Sequence, residues 1–470
     1  MRILIAGAGK LGYKLAEAFS NQENSITVMD SNEQALQRVN ANLDVLAIKG
    51  NAVQIDLLQR ANLRNTDLVA AVTSSDEVNI VVCLIAKKLG CKRTAARVRN
   101  PEYAKQLDFL KTELGVDYIV NPELETARYI AKYLLKGTVV FIESFADGRV
   151  GMLDLGVKNI PELVGKKLRD VNIFDSILVA AVAREGEMII PHGETRLNDG
   201  DTVYLFGRRE NLQRFVADYF PSAPRDRRVA KSAMILGGGR SGYYLANRLR
   251  QNGVAVKIVE KDEAQCQYLV ENLQDVLVIH GDATDSDLLR EENFAQMDAL
   301  VTLTGGDEEN LLLALLGQQQ GIPLVVAKVS RPNFIPIIEQ LGVGRAVNPV
   351  LISAGEIIRF AQGGKVASLS LLLDGQAEVI EIIADEEAAV IGRRLAALDL
   401  PKGIIVGAIA RNNEVIIPDG NAVIQPQDRV IVFCLHKDVP VLGQLFYRRK
   451  EGFFRGIWHS QKDSGKYPQD

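Results

Sequence analysis

The chain has 470 residues, 47% of them hydrophobic and 24% charged, with a net charge of −4; this is ordinary globular composition, with length for about three domains at roughly 150 residues each. A mildly acidic chain has no global electrostatic pull on nucleic acid, and no apolar run reaches the ~18 residues of a membrane-spanning helix. Cys83, Cys91, Cys266 and Cys434 are scattered, and His192, His280, His436 and His459 lack metal-ligand spacing, so no metal site is expected and the cysteines read as core residues of a reducing compartment.

The first apolar run, Ile3–Ala6, meets Gly7-Ala8-Gly9-Lys10-Leu11-Gly12 too soon for a signal peptide and reads as a strand feeding a helix. Runs at Ile26–Met29, Val45–Ile48, Leu68–Val72 and Ala95–Val98 alternate with amphipathic stretches, predicting five strands of a parallel sheet buried on both faces. In such a turn Gly7 allows the tight bend, Gly9 admits a pyrophosphate to the backbone, and Gly12 lets helix and strand pack closely, while the helix start offers free N–H groups. Asp30 follows Gly7 by 23 residues at the end of the second strand. A carboxylate there accepts ribose hydroxyls and repels a 2′-phosphate, favouring NAD or an adenine nucleotide over NADP; its alternative duty is to cap the helix starting near Asn32. Asn51, Thr73, Ser74 and Arg97 fall at strand ends, where open α/β sheets hold ligands. Thr73 is read as a ligand contact or a helix cap, and Arg97 as a phosphate partner or the mate of a surface carboxylate.

Further on, Ile177–Ala183, then Glu185-Gly186, then Met188–Ile190 reads as strand, two-residue turn, strand. Pro221–Arg228, rich in proline and charge, is a linker. Beyond it the chain repeats itself. Gly237-Gly238-Gly239-Arg240-Ser241-Gly242 matches the first glycine motif at a shift of 230, and Glu260 again lies 23 residues on. Lys49–Ala52 returns as His280–Ala283 and Val72–Asn79 as Leu303–Asn310, both at 231. Asn121-Pro122 returns as Asn348-Pro349 at 227, a shift kept from Gly165–Leu168 to Gly392–Leu395 and from Ile189–Pro191 to Ile416–Pro418. The second set of strands is predicted at Met234–Leu236, Val256–Val259, Val276–Ile279, Leu300–Leu303 and Leu324–Ala327, with a hairpin from Ile404–Ala410 to Val415–Ile417 through Asn412-Asn413. Asp282, Thr304, Gly305 and Lys328 are the second-copy counterparts of Asn51, Thr73, Ser74 and Arg97, so the two sites differ in detail. Arg448–Lys450, Phe453, Phe454 and Trp458 mark a basic, aromatic tail, either partly ordered or a docking segment for a partner or an acidic membrane surface.

Tandem Gly-x-Gly-x-x-Gly domains, each with a Gly-Asn/Asp-Ala element, a Thr-x-x-Asp-Glu-x-Asn element and a strand-rich module, resemble the cytosolic regulatory subunits of bacterial Trk potassium-uptake systems, built from KTN or RCK domains. The resemblance spans about residues 1–445. It implies an α/β fold with two Rossmann-like, doubly wound parallel-sheet domains, each followed by a small α+β RCK C-terminal domain. The division expected is an N-domain over 1–138, a C-domain over 139–220, a linker over 221–231, an N-domain over 232–365, a C-domain over 366–447 and the tail over 448–470. It further implies NAD or NADH at both N-domains, with ATP or ADP as alternatives, and a homotetrameric ring on the cytoplasmic face of the membrane. The implied partner is a Trk-type membrane subunit that translocates potassium. Pro122–Lys136 and Pro349–Gln362 would be crossover helices pairing the N-domains, each with an asparagine cap before an N1 proline. An oxidoreductase or a nucleotide-stabilised scaffold is the rival reading, but no acid–base dyad stands out, so no catalytic residue is expected.

Overall fold

Each half of the chain builds one parallel sheet and one antiparallel sheet. In this computed structural model the described residues are 1–20, 24–104, 115–136, 142–171, 176–220, 230–331, 334, 344–362, 366–372, 376–412 and 414–446. The linker Pro221–Arg228 and the tail 448–470 lie outside them.

The first N-domain holds β1 (Arg2–Ala6), β2 (Ser25–Asp30), β3 (Leu46–Lys49), β4 (Leu68–Ala71), β5 (Arg93–Arg97) and β6 (Tyr118–Val120) in the order β3-β2-β1-β4-β5-β6. That is the doubly wound order, whose direction reverses between β1 and β4 and opens a crevice at their carboxyl ends. The apolar strands β1 and β4 are buried at every residue but Arg2, as a sheet covered on both faces requires. The second N-domain repeats the plan with β12 (Ser232–Leu236), β13 (Ala255–Glu260), β14 (Val276–His280), β15 (Ala299–Thr302), β16 (Leu324–Lys328) and β17 (Arg345–Val347). Each sheet thus has six strands where the apolar runs predicted five. The added edge strands β6 and β17 are only three residues long, too short to show as a run.

The helices that matter for the site are α1 (Lys10–Ser20), α2 (Glu33–Asn42), α3 (Asp76–Lys88), α4 (Pro122–Lys136), α5 (Arg240–Gln251), α6 (Glu263–Asn272), α7 (Asp307–Gln319) and α8 (Pro349–Ala361). Helices α4 and α8 are exchanged between the halves. From α4, Ala127, Ile130, Ala131 and Leu134 enter the core of the second N-domain beside Leu245 and Leu249 of α5. From α8, Ala354, Ile357, Ile358 and Ala361 enter the core of the first beside Leu11, Leu15 and Phe19. Tyr118 of β6 stacks on Phe360 of α8 with centroids 4.8 Å apart. Each buried Leu or Ile contributes about 1.5–3 kcal/mol, so each N-domain borrows a substantial part of its core from the other.

The C-domains are antiparallel: β7 (Ile142–Phe145), β8 (Val150–Gly156), β9 (Ile177–Arg184), β10 (Glu187–Ile189) and β11 (Thr202–Arg208) in one, and β18 (Val366–Leu372), β19 (Ala377–Ile383), β20 (Ile404–Arg411), β21 (Glu414–Ile416) and β22 (Arg429–Leu435) in the other. They share a core in which Phe145, Met152 and Phe206 meet Val379, Ala408 and Phe433. The β9–β10 hairpin turns on Glu185 and Gly186, both with positive φ (53° and 81°), as a two-residue hairpin of this type needs. All four cysteines are buried and unbonded, as core residues.

Candidate functional site

A cleft of about 770 Å³ opens at the carboxyl ends of the first parallel sheet. The turn from β1 to α1 forms its floor. Gly7 has φ +111°, and a Cβ there would lie 2.8–2.9 Å from the backbone of Val72 and Thr73. A Cβ on Gly12 would sit 1.8 Å from the Gly7 carbonyl oxygen, whereas one on Gly9 meets nothing within 4 Å. Gly7 and Gly12 therefore shape the turn, and Gly9 leaves a gap into which a ligand can approach. The N-terminus of α1 points its unpaired N–H groups there, an anion-binding arrangement.

Asp30 joins this floor to the next helix. One of its carboxylate oxygens accepts from Ala8 N–H at 2.6 Å and the other from Asn32 N–H at 2.8 Å. The cap of α2 is Asn32, whose Oδ1 accepts from Gln34 and Ala35; the alternative of Asp30 as that cap is corrected. The second half builds the same joint. Glu260 accepts from Gly238 N–H at 2.7 Å and Asp262 N–H at 2.9 Å, while Asp262 caps α6.

The Thr-x-x-Asp-Glu-x-Asn element is a clamp. Asn79 Oδ1 accepts from the backbone and hydroxyl of Thr73, both at 2.8 Å, and its Nδ2 donates to the Arg97 carbonyl at 2.8 Å. Asp76 accepts from Arg99 N–H and Asn100 N–H. The ends of β4 and β5 are thereby pinned together with Thr73 on the wall of the cleft. Asn310 and Asp307 repeat these bonds with Thr304, Lys328, Ser330 and Arg331. The cap of α3 is Ser75, which accepts from Val78 N–H, and not Thr73.

Arg97 donates to the Thr73 carbonyl and Arg99 to the Ser74 carbonyl at 2.6 Å. In each guanidinium the Nε is buried and makes no hydrogen bond, although that of Arg99 lies 3.8 Å from Asp76 Oδ1. Burial and the neighbouring Arg99 lower the proton affinity of Arg97, so this corner stabilises an incoming anion. No surface carboxylate pairs with Arg97 among the described residues.

Of the residues expected in the first site, Gly7, Gly9, Lys10, Leu11, Asp30, Asn51, Thr73, Ser74 and Arg97 line the cleft. Ala8 and Gly12 lie behind it, where Ala8 holds Asp30 and Gly12 packs on Gly7. Sequence reasoning missed Arg99, Glu123, Val350 and Ser353, which also line it. Arg99 had a local signal, two residues after Arg97. Val350 and Ser353 had none, because they belong to the other half and arrive on α8.

The second cleft measures about 290 Å³, and its described walls come from the second half. Gly237, Gly239, Glu260, Asp282, Thr304, Gly305 and Lys328 line it, together with the unexpected Lys261 and Glu309. Gly238, Arg240, Ser241 and Gly242 are not part of its lining. A Cβ on Gly238 would fall 2.5 Å from Leu269, which explains glycine where the first copy has Ala8. Burial lowers the proton affinity of Lys328, whose ammonium donates to the Leu303 carbonyl at 3.2 Å. Asp282 is held below the usual carboxylate range by the Thr284 hydroxyl and N–H. Where the first cleft has Val78 and Arg99, the second has Glu309 and Ser330, so it is the less cationic of the two.

Residues 3–122 and 233–349 match the TrkA-N domain, and residues 157–218 and 379–447 match the TrkA-C domain. A Trk system potassium uptake protein TrkA homolog of Methanosarcina mazei is 35% identical over 443 residues, covering 93% of this chain and 97% of that protein. Among solved structures, the GsuK channel bound to NAD is 19% identical, with a TM-score of 0.55 over 95% of this chain and 78% of that one. GsuK bound to ADP is 14% identical, with a TM-score of 0.50 over 77% of this chain and 69% of that one. These structures share the fold, two Rossmann-like domains each followed by an RCK C-terminal module. At this identity and coverage, the chain belongs to the TrkA family of Trk potassium-uptake proteins.

Proposed function

We propose that this chain is a nucleotide-sensing regulatory subunit of a Trk-type potassium-uptake system, binding NAD or NADH at its N-domains and gating a membrane subunit that translocates potassium. The observation that carries this reading is the make-up of the first cleft, where Pro122 and Glu123 at the head of α4 and Pro349, Val350 and Ser353 at the head of α8 stand beside the glycine turn. A ligand in that cleft touches both exchanged helices, so its binding energy depends on the angle between the halves. A ligand shifts such an equilibrium only by its differential affinity for the two arrangements, and these walls supply the difference. The relative's name and the NAD-bound neighbour of the same fold support the reading.

The reading includes the six-part division 1–138, 139–220, 221–231, 232–365, 366–447 and 448–470, with the N-domains as sensors and the C-domains as the joining module. It places a homotetrameric ring on the cytoplasmic face of the membrane, acting as a binding regulator and not as an enzyme. ADP or ATP is the second reading for the first cleft, because Lys10, Arg97 and Arg99 all line it and suit a ligand with more phosphate charge.

Linkage makes the proposal testable, since a nucleotide that gates a partner must be bound differently when the partner docks. Nucleotide affinity is measured with and without a reconstituted Trk membrane subunit, alongside potassium flux in vesicles. A change of roughly 5–150-fold in affinity is expected, and replacing both Asp30 and Glu260 by alanine abolishes nucleotide control of flux while the ring still assembles. Equal affinities together with nucleotide-independent flux reject the proposal.

A further inference from the structure

Glu123 is the second residue of α4 and lines the first cleft with Arg97 and Arg99. Its Oε2 is buried and has no hydrogen-bond partner, as is the case for the Nε atoms of both arginines. The head of α4 is fixed in place: Asn121 caps it by accepting from Leu124 N–H at 2.9 Å, and its Nδ2 donates to the Tyr244 hydroxyl of α5 at 3.2 Å. The backbone that carries the carboxyl is therefore held at the junction of α4 and α5. The matching position on α8 is Val350, so this acid belongs to one side of the pseudo-symmetric pair.

The groups around it come from β5 and the residues just after it, from α3, α5 and β16. Arg97 ends β5 and Arg99 follows it, with Asp76 of α3 at 3.8 Å from the Arg99 Nε. Arg240 and Tyr244 face it from α5, and Lys328 from β16. Burial raises the Glu123 carboxyl above the ordinary carboxylate range, against the pull of its own helix-start N–H, Arg99, Arg97 and Arg240. The cleft thus carries two guanidinium groups for an anion and, in the same lining, the Glu123 carboxyl, whose charged form repels it.

We propose that nucleotide capture in the first cleft is proton-linked, with Glu123 taking up a proton as a nucleotide phosphate settles against Arg97 and Arg99. This rests on the nucleotide reading above and adds to it a second input, pH. The step moves one proton from solvent to the carboxylate and changes no other bond. Its sign follows from the charges. The phosphate disfavours the ionised carboxyl, so the bound state holds the proton to a higher pH than the free state. Between those two limits affinity falls as pH rises, by no more than about tenfold per pH unit for one proton.

The test is calorimetric titration of the full-length protein with NADH, whose diester pyrophosphate does not titrate near neutrality. It runs from about pH 5 to about pH 8 in two buffers of different ionisation enthalpy. Expected are a buffer-dependent heat equivalent to the uptake of up to one proton and a Kd that rises with pH. Glu123→Gln abolishes both and binds NADH more tightly than the wild type at the upper pH. Saturable binding with no buffer dependence in the wild type overturns the proton linkage and leaves the nucleotide reading standing. So does an uptake that survives in Glu123→Gln. Affinity that grows with added Mg²⁺ in the wild type but not in the variant means the carboxylate stays ionised and holds a cation, which also overturns it. No saturable heat with either NADH or ADP overturns the nucleotide reading and this inference together.

Discussion

Arg345 Nη1 lies 3.0 Å from both carboxylate oxygens of Asp154, and its Nη2 donates to the Tyr129 hydroxyl at 3.0 Å. Three parts of the chain meet in that contact: β17 of the second N-domain, β8 of the first C-domain and the exchanged helix α4. The first C-domain is therefore tied to the N-domain of the other half. The pseudo-symmetric positions are Tyr118, Glu381 and Glu356, and they are wired differently. Tyr118 donates to Glu356 at 2.6 Å, while Glu381 turns to Arg429 at 2.5 Å and to Ala146 N–H at 3.2 Å. The duplicated halves have thus diverged in how each C-domain is anchored.

That asymmetry gives a stability prediction. About a quarter of each of the Arg345 and Asp154 side chains remains exposed (24% and 26%), so the contact lies between a surface pair and a buried one. Arg345→Met is expected to cost about 1–3 kcal/mol, below the ~3–5 of breaking a fully buried pair. A double-mutant cycle with Asp154→Asn, read by urea unfolding, should return a favourable coupling. Additive effects would show that the two residues do not stabilise each other.

Exchange of α4 and α8 predicts damage at a distance along the chain. Ile357→Ala should destabilise by about 2–4 kcal/mol, as for other large-to-small core changes. The loosening should appear in the first N-domain, as faster amide exchange in β1 and α1, although Ile357 follows the second. Ile130→Ala should do the reverse, loosening β12 and α5. Faster exchange confined to the domain that precedes the substituted residue in sequence would refute the exchange.

Two glycines of one turn should separate folding from binding. Gly9→Ala has open space for its methyl group, so stability should stay within about 0.5 kcal/mol. Nucleotide affinity of the first site should fall roughly tenfold or more, because the methyl group occupies the approach of the pyrophosphate. Gly12→Ala drives a methyl group into the Gly7 carbonyl and should lower thermal stability itself. Equal effects of the two on melting would contradict this division of labour.

Asp30→Ala should weaken nucleotide binding to the first site by about 1.5–3 kcal/mol, the size of a hydrogen bond to a charged group. Helix α2 keeps its Asn32 cap, so far-ultraviolet circular dichroism should be unchanged. Calorimetry on the variant, with the second site disabled by Glu260→Ala, isolates the effect. Unaltered affinity would reduce Asp30 to a brace between Ala8 and Asn32.

Much of this protein could be read from sequence because the signals are local. The glycine turn, the acid 23 residues later and the Thr-x-x-Asp-Glu-x-Asn element each depend on residues within one βαβ step, and the repeat displays each of them twice. Short spacing alone sets a tight turn or a strand end. The same reasoning could not tell Asp30 from Asn32 as the helix cap, since both lie within reach of the helix start and only the backbone direction decides.

What tertiary structure alone decided concerns residues far apart in the chain. Val350 and Ser353 reach the first cleft, and Arg345 reaches Asp154, across 191 or more positions. No periodicity records such meetings, because they depend on which half each crossover helix packs against. Repeated sequence determined two nucleotide-type domains and two strand-rich modules, since each fold is encoded within its own segment. Packing between those segments decided that the first cleft is walled by both halves, with Glu123 of α4 and Val350 of α8 together in its lining.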